Sequence, residues 1–167
     1  MQIIIFPAIG LLLLLINNLI TTFMPINFFG YELYFIPHLV LIYLLILTVY
    51  KNPKIALILA ILFGILCDIY IGNIYGLYTF GFIIAVLLMD QLFKVFYKDL
   101  KMMIALLLLF VLLFESFKFI TVKVLGLATT GGFGFVFAHL IPTLLINFLF
   151  IIIVFPILLK ILDKYTI

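Results

Sequence analysis

An aspartate, a glutamate and a lysine stand inside runs that are otherwise almost entirely apolar: Asp68, Glu115 and Lys118. Groups of these types can pair with one another or line a cavity that receives a ligand or a partner helix. Left alone among apolar helices, each charge would cost on the order of several kcal/mol. Lys118 follows Glu115 by three positions, one helical turn along on the same face, which is ion-pair spacing. Asn17, Asn18 and Asn147 add amides in similarly apolar surroundings. Counting about 1.5 Å of rise per residue from the expected cytoplasmic end of each run puts Asn17, Asn18, Asp68, Glu115 and Asn147 roughly 20 Å along, in the outer half of the hydrocarbon. Four helices then supply one polar layer, and Asp68 is expected to reach the Glu115 and Lys118 pair. Such a layer either fixes how the helices pack or floors a cavity that receives a ligand or a partner helix. The sequence leaves both readings standing.

A second pattern uses small residues. Ala56, Ala60, Gly64 and Asp68 recur every fourth position, and Gly72 and Gly76 continue the spacing. Small residues at this interval let another helix approach closely, where lipid supplies no hydrophobic force between helices. An internal seam is favoured over an intermolecular one, and Gly72 to Gly76 is short enough for a tight turn.

The elements that carry these residues follow from composition. The chain has 167 residues, of which 69% are hydrophobic and 9% charged. Six apolar runs, at about 3–23, 36–50, 55–71, 74–97, 102–125 and 136–159, are each near the roughly 20 residues a bilayer crossing needs. This is an all-α, polytopic membrane protein forming one domain over 1–167. Lys51 and Lys54, then Lys94, Lys98 and Lys101, then Lys160 and Lys164 fall in alternate gaps. Positive charge favours the cytoplasmic side, so both termini are expected inside. The opposite loops hold Glu32, no charge between Ile71 and Tyr78, and Lys123. The net charge of +3 reports orientation and contact with anionic headgroups, and a nucleic-acid role is rejected. The first run lacks the basic start and small-residue cleavage site of a signal peptide, so it is expected to stay attached.

The remaining polar residues read as structural. Cys67 is single and beside Asp68, a packing residue with no disulfide partner in the chain. Tyr31, Tyr34, Tyr70, Tyr75, Tyr78, Tyr97 and Tyr165 fall near the membrane boundaries as interfacial anchors. His38 and His139 read as interfacial or capping groups. Pro142 is expected to bend the last helix by freeing the carbonyl of Ala138. Residues 129–134 read as a flexible outer loop. Enzymatic readings fail: Asp68 and Asp90 differ by roughly 10 Å in depth and form no dyad, and Ser116 has no placed base. No arginine is present to clamp a pyrophosphate. Neither a catalytic, a cofactor-binding nor a metal site is expected.

One family matches these residues. Pro37-His38-Leu39-Val40-Leu41, then Gly64-Ile65-Leu66-Cys67-Asp68, Gly72-Asn73-Ile74-Tyr75-Gly76, and Asn147 with Phe155-Pro156 make the chain resemble the MreD family of rod-shape membrane proteins. The absence of tryptophan and arginine departs from relatives that carry both near helix ends. The resemblance implies a non-enzymatic subunit of the bacterial inner membrane that binds MreC. Through MreC and MreB it would help position or regulate the glycosyltransferase and transpeptidase that build lateral wall. It also implies a six-helix bundle similar to the substrate-binding components of energy-coupling-factor transporters, with an outward cavity. The alternative is therefore a vitamin transporter's substrate-binding component, and a small lipid or solute exporter is a third reading. Residues 9–16, Ile-Gly-Leu-Leu-Leu-Leu-Leu-Ile, lack the spaced alanines such transporter subunits use for docking.

Overall fold

A computed structural model describes residues 2–28, 31–72, 74–95, 100–127 and 131–164. Its helices are α1 (Gln2–Thr22), α2 (Leu39–Tyr50), α3 (Pro53–Tyr70), α4 (Leu77–Val95) and α5 (Leu100–Val124), followed by a composite α6. That last helix starts with the turn Gly132–Phe135, passes through a π-helical turn at Val136–Leu140 and continues as Ile141–Lys164. Four helical stretches are long and apolar enough to cross a membrane: 4–22, 53–70, 101–124 and 132–162. The apolar parts of α2 and α4 are shorter.

The central element is α2. Twelve residues without a polar face, Leu39–Tyr50, are apolar all round, and every one from Leu39 to Thr48 is buried. A helix of this kind belongs inside a bundle, because it has no side suited to solvent and none reserved for one neighbour. Phe6 and Leu14 of α1, Phe63 of α3, Met89 of α4, Leu107 of α5 and Ile151 of α6 share its buried cluster. The Tyr43 hydroxyl donates to the Phe6 carbonyl at 2.9 Å, tying α2 to α1 with a bond that spends the one polar atom of that side chain.

Between α2 and α3 the chain reverses in two residues. Asn52 is extended and its side-chain oxygen accepts from the Lys54 amide at 2.9 Å, with Pro53 at the first helical position. Both choices suit a helix start, since the first amides lack helical partners and proline has none to satisfy.

The small-residue spacing on α3 faces inward. Ala56, Ala60, Gly64 and Asp68 are buried, and a Cβ on Gly64 would come 2.5 Å from the Thr79 Cα of α4. Only glycine permits this approach of α3 and α4. Helix α3 ends at Tyr70, so Gly72 and Gly76 lie in the turn beyond it, and Gly76 has φ +92°. That conformation costs glycine little and other residues more.

Several boundaries differ from the sequence expectation. The second helix begins at Leu39, three residues late, because Pro37 disfavours helical backbone at Ile36 and so delays the start. Residues 24–35, the connection between the first two apolar runs, contain a two-stranded antiparallel hairpin pairing Ile26 with Leu33 and Asn27 with Glu32. The expected outer loop at 129–134 is cut short, since α6 is already helical from Gly132; residues 128–130 lie outside the described residues.

Candidate functional site

The short α2 creates a problem that the polar layer solves. Its twelve residues span about 18 Å, well short of a hydrocarbon core of about 30 Å. The preceding segment 34–38 is non-helical yet largely withdrawn from the surface. Irregular backbone at membrane depth survives only where protein satisfies its amides and carbonyls. Side chains of α1 and α6 supply the missing partners.

Asn147 carries most of this work. Its Oδ1 accepts from the His38 amide at 2.7 Å, and its Nδ2 donates to the Ile36 carbonyl at 2.8 Å and to the Thr143 carbonyl at 2.7 Å. Thr143 Oγ1 donates to the Tyr34 carbonyl at 3.1 Å and accepts from the Ile36 amide at 3.3 Å. Asn17 Oδ1 accepts from the Leu39 amide at 3.3 Å. The Tyr34 amide donates to the Ala138 carbonyl at 2.8 Å. That carbonyl is the one Pro142 leaves without a helical donor, so the defect in α6 is used to pin the entry segment. Asn147→Ala should therefore destabilise the fold by about 2–3 kcal/mol, from buried groups left unpaired. Thermal unfolding in detergent measures it, and a shift no larger than that of the half-buried Asn18→Ala would contradict this role.

A second cluster sits against the first. Glu115 Oε1 accepts from His38 Nε2 at 2.5 Å and from Lys118 Nζ at 2.6 Å. The His38 and Glu115 side chains are each 4% exposed and Lys118 is 14% exposed. The ammonium lies 5.5 Å from the Tyr78 ring centroid and 5.4 Å from that of Phe114, within cation–π range. Reading His38 as an interfacial side chain missed this. Its ring is not a cap for α2 but the partner of a buried carboxylate.

Asp68 does not reach Lys118. Its Oδ1 accepts from the Tyr78 amide at 2.7 Å, and its Oδ2 accepts from the Thr79 amide at 3.1 Å and the Thr79 hydroxyl at 2.6 Å. These are the second and third residues of α4, whose first amides need acceptors. Gly76 cannot provide one, so α3 does. Asn18, counted into the layer, is half-buried and makes none of these bonds through its side chain. Of the tyrosines, Tyr70 and Tyr75 are exposed as expected of anchors. Tyr78 is drawn into the cluster, and Tyr34 stacks on His139 at 4.0 Å. The Tyr31 ring, Tyr97 and Tyr165 lie outside what is described.

Beside Lys118 opens a cavity of ≈ 400 Å³. Ile36, Ile71, Gly72, Leu77 and Phe119 form apolar walls, while Tyr78, Glu115, Lys118 and His139 bring polar groups to it. Two other hollows, between α4 and α5 and between α5 and α6, are lined almost wholly by apolar residues. Among the described residues no three His, Cys, Asp or Glu gather as metal ligands.

The family model described as "rod shape-determining protein MreD" matches residues 1–165. The chain belongs to the MreD family. A curated relative, "Rod shape-determining protein MreD" of Bacillus subtilis (strain 168), is 26% identical over 141 residues, covering 84% of this chain and 82% of its own. No solved structure matches. With its long apolar helices, this MreD-family chain is a multi-pass membrane protein of a shape-determining rather than an enzymatic family.

Proposed function

We propose that this chain is a non-enzymatic subunit of the bacterial wall-elongation machinery that binds MreC and, with MreB, helps position or regulate the peptidoglycan glycosyltransferase and transpeptidase. The observation that carries this reading is the family match over nearly the whole chain. The geometry agrees with it: Asn17, Asn147 and Asp68 are spent on backbone support instead of being presented to a reacting group. The chain sits in the cytoplasmic membrane with six passes and both ends inside. Lys51, Lys54, Lys101 and Lys160 support that orientation, lying at the helix ends remote from the polar layer.

Depletion in the source cell tests the proposal. Rounded cells with reduced lateral wall synthesis, and co-purification of MreC with the tagged chain, are the expected results. Unchanged shape together with a vitamin requirement would instead favour a transporter's substrate-binding component, the reading that the polar-floored cavity supports.

A further inference from the structure

We infer that the cavity beside Lys118 is a binding site for a small uncharged molecule with an apolar body and a hydrogen-bond-accepting head such as an amide or carbonyl. The inference concerns the cavity alone and stands whether or not the chain binds MreC.

Three features lead there. The first is size and lining: ≈ 400 Å³ with apolar walls and a few convergent polar groups is the usual make-up of a small-molecule site. The second is donor supply. An ammonium has three N–H donors, and Glu115 takes one at 2.6 Å. Even with the Tyr78 phenol within reach, at least one donor is left for an occupant. The third is charge. Glu115 and Lys118 already neutralise each other, so an ionised ligand would bring a charge that the site does not compensate, whereas a neutral acceptor would not. A neutral carbonyl meets the donor without disturbing the pair.

The backbone agrees. His139 lies in the π-helical turn of α6, a distortion that tends to mark functional positions, and its ring reaches the cavity edge while stacked on Tyr34.

The chain has no tryptophan, so indole emission reports an added probe alone. Purified full-length protein in detergent is titrated with indolylbutanamide, and separately with butylindole and indolylbutanoate, which share the body and change the head. The expected result is saturable, blue-shifted binding of one amide per chain, with both analogues weaker by about tenfold, the worth of one hydrogen bond to a charged donor. Lys118→Met should cost the amide about the same factor and Lys54→Met nothing. Val122→Phe narrows the wall from a half-buried position and should abolish binding while helicity is kept. Non-saturable uptake that follows butylindole overturns the site. Tighter binding of the carboxylate overturns the ligand class. Wild-type affinity in Lys118→Met overturns the donor's role. Should Lys118→Met not fold, wild-type affinity in Val122→Phe overturns the proposal in its place.

Discussion

Glu115→Ala is expected to destabilise the protein by about 3–5 kcal/mol, enough to unfold or degrade much of it, because the change strips a shared carboxylate from two buried nitrogen groups. One oxygen of Glu115 serves both His38 and Lys118, and the ammonium is only 14% exposed. Without Glu115 the Lys118 head group loses its counter-ion while its desolvation remains, and the two aromatic faces offset only a fraction of the cost. The expected behaviour of the double variant separates a charge effect from a packing effect. Glu115→Leu with Lys118→Leu removes both charges and fills the space with apolar atoms, so most of the stability should return. A buried pair exchanged for well-packed hydrophobes is often near neutral. Unfolding in detergent with rising denaturant gives both numbers. Additive losses in the double variant would show that the two side chains do not interact.

The helices were legible from apolar runs and lysine gaps because both signals are long and redundant. The helix positions follow the expected ones to within a few residues, and the i,i+3 spacing of Glu115 and Lys118 became an ion pair because helix geometry alone fixes it. What lay beyond reach was azimuth. Depth along a helix can be counted, but which way a side chain points depends on how helices rotate about their axes, and apolar-all-round helices carry no moment to fix that rotation. Asp68 is the clear case: counting along the helix brought it toward Lys118, yet α3 is turned so that it meets the start of α4. His38 was misread for the opposite reason. A histidine beside a proline near a boundary resembles an interfacial residue, and only the broken entry of α2 makes it a core group. The hairpin at 26–33 and the π turn in α6 depend on tertiary partners, Tyr34 among them, that no local pattern announces.

Asp68 gives the sharpest test of that rotation. Its carboxylate does for α4 what an N-cap residue does for an ordinary helix, from a neighbouring helix and across a turn whose own cap position, Gly76, has no side chain. Being charged, it also complements the positive end of the α4 dipole. Asp68→Ala removes three hydrogen bonds at once and strands two amides in apolar surroundings, so the expected loss is about 3 kcal/mol or more. Asp68→Asn should fall between alanine and the parent, because one amide oxygen still accepts while the new NH₂ faces a donor. Thr79→Ala, losing only the hydroxyl bond at 2.6 Å, should cost about 1 kcal/mol. The distinguishing readout is local: amide exchange at Tyr78 and Thr79 should accelerate in Asp68→Asn while the α2 amides stay protected. Faster exchange around Lys118 with no change at the α4 start would mean that Asp68 belongs to the Glu115 cluster after all, with α3 rotated from the orientation described.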